Sequence, residues 1–532
     1  MKIVTSKQMR FIETQATEFG VSTDSLIRQS GLAIAQRVKH HLGHLVDVNI
    51  IVLVGPGNNG KDGLAAAQHL LDWGAYLSIF ICHDNSNSDE ILCQLSNQKV
   101  DIIYASEDKN FSELKKALTH SDLVIDSVLG TGCSRPIVDP IKGVFSEVNE
   151  AKASNYDLLV LAVDIPSGLH PDTGETDPAT METDFTVALG YPKIGLFRFP
   201  GASNIGKLEI VDIGIPQGID EGSTLELMSD PWAKKLLPVR PKSAHKGDFG
   251  RTLIVAGSQN YIGAAVLAAS AATRVGTGLV CLATPSSLIP GMAINSLEST
   301  YLPLPEVDPG IISMDAASLI LENLSKYDSL LIGCGIGTSP ATRHLVEQLL
   351  FSNKPKPPTI IDADGLNILS STKDWWKKYT DRAIITPHSG EMSRLVGDNS
   401  HKNMGHNRAH TAIKSAINWN KVTVLKGAHT IVAYPTGNAF LSPFSNPGLA
   451  SAGTGDVLAG IIAGLLSQIS VSPELNIYTS AALGVYIHGK AGEQIESEIG
   501  DTGMVASDLL PLLPRIIKRI RSLSCDSIRI RV

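Results

Sequence analysis

Several short segments set glycines beside side chains that can move protons or hold ions. Val54-Gly55-Pro56-Gly57-Asn58-Asn59-Gly60-Lys61-Asp62-Gly63 follows an apolar run and precedes a helical pattern. Read literally it is G-x-G-x-x-G, with acidic Asp84 roughly twenty residues on, and also G-x-x-x-x-G-K. The phosphate-loop reading fails on chemistry, because Asp62 stands where Ser or Thr must hold magnesium. The dinucleotide reading stands beside a plainer one, a tight turn joining strand to helix. The pair Asn58-Asn59 favours a ligand, since two amides there offer donors and carbonyl oxygens at a helix N-terminus, where anions bind.

Two more turns carry aspartate: Asp126-Ser127-Val128-Leu129-Gly130-Thr131-Gly132 and Asp164-Ile165-Pro166-Ser167-Gly168. Either aspartate alone could cap the next helix. Asn59, Asp126 and Ser167 together supply only hard oxygen ligands, a set suited to an alkali or alkaline-earth cation rather than zinc.

Far along the chain, Ala452-Gly453-Thr454-Gly455-Asp456 opens an apolar, small-residue helix. The N–H groups of Gly453, Thr454 and Gly455 would point into one concavity, reinforced by a helix dipole of roughly half a charge. Such a cradle holds a phosphoryl group in transit, with Asp456 placed to accept a proton from the attacking hydroxyl. The alternative is an Asp N-cap. Asp362 and Asp364 offer magnesium ligation or a strand-end turn. His388, beside a proline, reads as a contact residue or as a satisfied buried histidine.

The elements that must position these groups alternate. Apolar runs at 49–54, 77–82, 123–126 and 158–165 each end in a turn, and 63–73 reads as a helix. After 215–240, which holds no long apolar segment, strands recur at 252–258, 278–284, 329–337, 359–365, 383–388 and 422–427. Apolar runs alternating with helices predict parallel sheets covered on both faces, with ligands at the carboxyl ends of the strands. All the motifs are expected at such ends. The fold class is α/β, in two domains.

Composition narrows the function class. The chain has 532 residues, 43 % apolar and 5 % aromatic, with a formal charge of −8. No basic excess recommends a nucleic acid or an anionic membrane as partner. The six cysteines, at 82, 93, 133, 281, 334 and 525, form no C-x-x-C pair, and reduced thiols are expected. The opening residues lack an apolar signal segment, and no run reaches the roughly 20 residues of a membrane helix. A cytoplasmic location is expected.

The combination GNNGKDG, DSVLGTG, VDIPSG and PKIGL, over about residues 5–215, resembles the NAD(P)H-hydrate epimerase domain. The resemblance implies a Rossmann-like three-layer fold, over 1–218, that binds hydrated NADH or NADPH and one potassium ion. Potassium would fall to Asn59, Asp126 and Ser167. Substrate would touch Asn58, Asn59, Gly60, Lys61 and Asp62, then Gly130, Thr131, Gly132, Cys133, Ser134, Arg135 and Pro136, and Asp164. Epimerisation at C6 requires the oxygen to leave and return, or the ring to open. Either route needs a proton shuttle, for which Asp164 is the candidate and Lys193 an assistant. The opening helix departs from the family pattern at LIRQSG, with Gln29 where the family has Asn.

HKGDFGRTLIVAGS, GCGIG, DADGLN, TPHSGEMSRL, LKGAHTIV and AGTGD, over about 235–525, resemble the ribokinase-like NAD(P)H-hydrate dehydratase domain, here 235–532. The resemblance implies a nucleotide site of Lys426, Gly427, Ala428, His429 and Thr430 together with Gly453, Thr454 and Gly455. Ala264, Gly337, His388 and Asp456 would contact hydrated NAD(P)H. ADP or ATP with magnesium would phosphorylate the C6 hydroxyl, a poor leaving group. Ring-nitrogen electrons would then expel phosphate, with Asp456 as base. A homo-oligomer is expected. A dehydrogenase would need no phosphoryl cradle, a simple vitamin-type kinase would lack the first half, and a non-catalytic scaffold would not need Asn59, Asp126 and Asp164.

Overall fold

Runs of β-branched and leucine residues that alternate between two buried faces make the first sheet. In Asn49–Val54, residues Ile50, Val52 and Val54 pack with Ile34, Val38, Leu64 and Leu70. Their neighbours Ile51 and Leu53 pack with Leu114, Leu118, Val144 and Phe145. One strand thus feeds two cores, and the arrangement is helix, sheet, helix. The computed structural model describes residues 1–83, 90–98, 100–132, 135–220, 222–397 and 407–523. Asp84, Cys133, Ser134 and Cys525 lie outside the described residues.

The chain divides into two compact units, the first spanning Met1–Ser223 and the second beginning at Thr224. The strands of the first are β1 (Asn49–Val54), β2 (Tyr76–Ile81), β3 (Asp101–Tyr104), β4 (Leu123–Ser127), β5 (Leu159–Val163), β6 (Phe185–Leu189) and β7 (Lys207–Val211). They pair in the order β3-β2-β1-β4-β5-β6-β7, all parallel. The order reverses between β1 and β4, and a ligand crevice opens at such a switch point. The glycines of the first motif allow close approach there. A Cβ on Gly55 would stand 1.8 Å from the Val128 carbonyl oxygen, and one on Gly63 2.1 Å from Ser127 Oγ.

The second unit contains β8 (Leu225–Leu227), β9 (Arg251–Val255), β10 (Leu279–Pro285), β11 (Thr300–Leu304), β12 (Glu306–Asp308), β13 (Ile311–Ile312), β14 (Ser329–Ile332), β15 (Thr359–Ile361), β16 (Ala383–Ile385), β17 (Val422–Leu425), β18 (Ile431–Ala433) and β19 (Ala439–Leu441). Ten form one sheet, β11-β10-β9-β14-β15-β16-β17-β18-β19-β8, in which only β18 runs against its neighbours. Ile254, Leu331, Ile360 and Ile384 face the helices Ile262–Arg274, Thr454–Leu466 and Ile477–Ile499. Their sequence neighbours Leu253, Val255, Leu330, Ile332, Ile361 and Ile385 are equally buried, so the second face is covered too.

Three differences from the sequence expectations have physical causes. Strands expected to run on into their motifs stop at the first glycine or aspartate: β14 ends at Ile332, before Gly333 with φ 128°. The segment 225–236, read as a featureless boundary, supplies strand β8 and the helix Asp230–Leu236. Asp230 anchors it, accepting from Tyr486 Oη at 2.8 Å and from Lys490 Nζ at 2.6 and 2.7 Å. The HKGDFG turn precedes β9 and so sits at an amino end, away from the crevice. Its work is packing, since a Cβ on Gly278 would fall 1.7 Å from the Lys246 carbonyl oxygen.

Candidate active sites

In the first unit the helix begins at Asn58, not at Gly63, so the asparagine pair lies in its first turn. Its N-cap, Gly57, makes no side-chain cap bond, which leaves first-turn N–H groups facing the crevice. Asn59 is buried and its Nδ2 donates to the Leu129 carbonyl at 3.3 Å. Ser167 Oγ lies 3.3 Å from the same oxygen, accepts from Leu129 N–H at 2.8 Å and donates to Asp126 Oδ1 at 2.6 Å. Asp126 also accepts from Ser167 N–H at 2.8 Å and Val128 N–H at 3.2 Å. The three residues read as ion ligands thus converge on the Leu129 peptide.

Asp126 is fully buried, and burial pushes its carboxyl up while the Ser167 and Val128 donors pull it down. All those donors are neutral. Gly130 lies beside Asn59, where its Cβ would sit 3.2 Å from Asn59 Cβ. Thr131 is half-buried, whereas Lys61, Gly132, Arg135 and Pro136 are exposed.

At the end of β5, Asp164 adopts φ 67°, a left-handed conformation rare for a residue with a side chain. The bend lets Oδ1 accept from Leu189 N–H at 3.0 Å and from Lys193 Nζ at 2.5 Å. Lys193 is only 1 % exposed. Two groups not singled out in the sequence join this pair. Glu13, on the helix Ser6–Glu18, interacts with both Lys193 and Asp164, and burial is the chief cause that raises its carboxyl. Ser30, on the helix Thr23–Leu42, hydrogen-bonds Asp62. That contact depends on Gly31, whose Cβ would come 2.5 Å from Ala65 Cβ where the two helices cross. Gln29, the departure from the family pattern, packs instead on Gly214, its Oε1 2.4 Å from a Cβ placed there.

In the second unit the crevice lies at the carboxyl ends around the β9/β14 switch point. The helix Thr454–Leu466 reaches it because small residues let it pack tightly on Ile262–Arg274: a Cβ on Gly460 would fall 2.2 Å from the Ala268 carbonyl oxygen. Gly453, with φ 88°, is the N-cap and makes no side-chain bond, so Asp456 is the third helical residue and no cap. The N-cap alternative is thereby excluded. Ligand atoms of Asp456, Asp362 and Cys334 all lie within 4.8 Å of one another. Burial, then the charge of Asp362, pushes Asp456 up to about 6, while Cys334 and Lys426 pull the other way.

Lys426, from the end of β17, reaches Asp362 Oδ1 at 2.7 Å and Glu391 Oε2 at 3.8 Å. Burial works against its charge, but Asp362 and Glu391 outweigh it and hold the ammonium above its ordinary range. A Cβ on Gly455 would be 3.5 Å from Lys426 Nζ, so the ammonium faces the helix start. Burial lifts Glu391 to about 7.

His388 is a helix N-cap, not a buried histidine. Its Nδ1 accepts from Gly390 N–H at 3.0 Å and Glu391 N–H at 3.4 Å, and the side chain is 56 % exposed. Glu391 returns the bond, accepting from His388 N–H at 2.7 Å. The H-x-x-E spacing of a capping box was the available signal for Glu391. Asp364 organises a turn, accepting from Gly337 N–H at 2.9 Å and from Asn367 Nδ2 at 3.3 Å.

The 426–430 loop is tied down by Arg408, which the sequence did not announce. Its guanidinium donates to the carbonyls of Leu425, Lys426 and Ala428. Gly427 has φ 142° and His429 φ 51°. His429 is buried with Nδ1 3.2 Å from the Ser442 carbonyl, and Thr430 Oγ1 donates to the Gly427 carbonyl at 2.8 Å. Ala264 is half-buried on Ile262–Arg274, beside Gly335 of the GCGIG turn. Buried His488 lies with Nε2 3.0 Å from the Thr454 carbonyl, fixing the start of the Asp456 helix from behind.

Among the described residues no helix is long and apolar enough to cross a membrane. The family described as NAD(P)H-hydrate dehydratase matches residues 252–515, and the one described as YjeF-related protein N-terminus matches 23–195. The chain is 36 % identical over 531 residues to the bifunctional NAD(P)H-hydrate repair enzyme of Moorella thermoacetica, covering 98 % of this chain and 97 % of that protein. It is 34 % identical over 526 residues to the enzyme of the same description from Thermofilum pendens, covering 98 % and 97 %. Among solved structures, the ADP/ATP-dependent NAD(P)H-hydrate dehydratase from Bacillus subtilis, co-crystallised with ATP/Mg2+, is 30 % identical over 56 % of this chain and 98 % of that one, with a TM-score of 0.48. Relatives at 36 % and 34 % identity, matched over nearly their whole length, make this chain a member of the bifunctional NAD(P)H-hydrate repair enzymes.

Proposed function

We propose that the first unit interconverts the C6 epimers of hydrated NADH and NADPH, and that the second dehydrates the S epimer at the expense of ADP or ATP. The observation that carries the second half is the Asp456 site: a carboxyl pushed up to about 6, at a helix start that faces the half-buried Lys426. Asp456 takes the proton of the C6 hydroxyl as that oxygen attacks the terminal phosphorus. The N–H groups of Gly453, Thr454 and Gly455 hold the phosphoryl oxygens, with Lys426 alongside. Phosphate is then a competent leaving group, the ring-nitrogen lone pair expels it, and the resulting iminium gives up a C5 proton, which the released phosphate can accept, to restore the dihydropyridine. His388, Gly337 and Ala264 line the approach of the nicotinamide portion.

Asp362 is neutralised by Lys426, and both Asp364 oxygens accept hydrogen bonds. That donor set fits magnesium carried in on nucleotide phosphates rather than held in a protein cage. When bound, magnesium neutralises phosphate charge. In the first unit, Asp126 is a fully buried carboxyl with neutral hydrogen-bond donors, amid the oxygens of Asn59, Ser167 and Leu129. A potassium ion fits that set, with Asn59, Asp126 and Ser167 as ligands, and would supply the missing positive charge. Asn58 to Asp62, Gly130 to Pro136 and Asp164 are assigned to substrate. A cytoplasmic location and a homo-oligomeric state belong to the same proposal.

The test is direct. The protein is mixed with chemically hydrated NADPH, containing both epimers, and ADP with magnesium, and regenerated NADPH is followed by its absorbance. Complete conversion of both epimers is expected. No regenerated NADPH would refute the dehydratase, and conversion that stops when the S epimer is spent would refute the epimerase.

A further inference from the structure

The epimerase crevice is crowded with carboxyls. Asp62, Asp164 and Glu13 share one ammonium, Lys193, and all three interact with it. Only Asp164 bonds it, at 2.5 Å. Asp62 is 8 % exposed, on the second turn of the helix Asn58–Asp72, with Ser30 as its hydrogen-bond partner from the crossing helix. Glu13 is exposed, but Asp62, Asp164 and Lys193 are buried, and carboxylates so placed round one cation are not all ionised together, because each added charge meets desolvation and like-charge repulsion. The proton settles where the cation helps least. Asp164 has Lys193 in contact. Asp62 is held well above the ordinary carboxylate range, by burial first and by the charge of Asp164 second, with Ser30 and Lys193 opposing.

Resting on the epimerase reading above, we propose that Asp62 is a second proton-transfer residue, a proton donor that works opposite the lysine-bonded Asp164. Asp164 takes the proton of the C6 hydroxyl, and the C6–O bond becomes a carbonyl. The C6–N1 bond breaks, its electron pair goes to N1, and Asp62 gives N1 its proton. Rotation about C5–C6 turns the other carbonyl face to the nitrogen. In the return, N1 adds to that face, Asp62 recovers its proton, and Asp164 returns one to the oxygen. Both groups end as they began, so the pair needs no external acid, base or redox partner. Lys193 donates to Asp164 Oδ1 and takes no part in the proton transfers.

The test uses the full chain with Asp62→Asn and Ser30→Ala. Epimerisation is followed as loss of the R epimer, and thermal melting reports on the fold. Asp62→Asn is expected to lower epimerisation kcat at least ~100-fold with KM little changed. Wild-type epimerisation is expected to fall as pH rises through the Asp62 titration, and the residual activity of Asp62→Asn to lack that limb. Ser30→Ala removes a donor that favours the carboxylate, so its alkaline limb moves to higher pH. A variant Asp62→Asn that keeps most of its epimerisation, or retains the limb, overturns the proposal, and so does an unmoved limb in Ser30→Ala. If the wild type itself does not epimerise, the epimerase reading has failed instead.

Discussion

Replacing Asp456 by Asn separates chemistry from structure. The ordinary carboxyl titrates near 3.8, and here burial and Asp362 lift it to about 6. At pH 7 it is therefore about nine-tenths ionised and competent as a base. Removing a general base costs ~10²–10⁴ in rate. The stability effect has the opposite sign. The native state holds this proton more tightly than the unfolded chain, so stability is full below pH 3.8 and falls as pH rises to about 6. A shift from 3.8 to about 6 corresponds to roughly 3 kcal/mol lost at neutral pH as an upper figure. Asparagine carries no such cost, and because Gly453 is the N-cap, no capping bond is lost. Asp456→Asn is thus expected to melt at or above the wild-type temperature at pH 7, to bind ADP normally, and to dehydrate S-NADPHX at least ~100-fold more slowly. In the wild type, dehydration should rise with pH through about 6, and the variant should lack that rise. A variant within tenfold of wild type, or one that melts well below it, would refute the reasoning.

Lys426→Met leaves the buried Asp362 and Glu391 without their cation, a loss worth about 3–5 kcal/mol. Thermal denaturation should show it, together with a KM for ADP raised at least ~10-fold through loss of the charge-assisted contact. Asp126→Ala should abolish the potassium dependence of epimerisation, measured by replacing potassium with a larger monovalent cation, and leave dehydration of purified S epimer unchanged. A fragment 224–532 should fold and dehydrate the S epimer alone. A fragment 235–532, which loses β8 and the Asp230 partner of Lys490 and Tyr486, should melt at a lower temperature, and equal melting would show that the edge strand contributes nothing.

The parts legible in the sequence were those written in local grammar. Apolar runs that end in turns gave the parallel strands of both sheets, and Gly453-Thr454-Gly455-Asp456 gave a helix start. What was illegible depends on contacts between distant residues. Ser30 meets Asp62 only because Gly31 lets two helices cross closely, and Glu13 meets Lys193 only after the chain returns from β6. Arg408 precedes the 426–430 carbonyls it holds by about twenty residues, and nothing in its neighbours marks that role. Strand β8 was overlooked because three residues on a sheet edge carry too little periodicity to register.

The two sites, on unrelated topologies, solve the same electrostatic problem in the same way. Each sets one lysine among three carboxyls: buried Lys193 among Asp164, Asp62 and Glu13, and half-buried Lys426 among Asp362, Glu391 and Asp456. In each, one carboxylate bonds the ammonium directly, at 2.5 Å to Asp164 and at 2.7 Å to Asp362. The others are left with titrations above the carboxylate range, and Asp456 and Glu391 reach about 6 and about 7. Asp456 and Glu391 so placed exchange protons near neutral pH, where an isolated carboxylate is too weak a base. A surplus of negative side chains would repel a phosphorylated substrate if side chains did the holding. On the function proposed here, anion recognition would fall instead to the uncapped helix starts at Gly57 and Gly453, whose N–H groups can bind phosphate without adding a charge for the carboxyls to meet. Such a division of work would account for glycine as N-cap of both helices, since a Ser or Asp there would satisfy the N–H groups that a phosphate must find free.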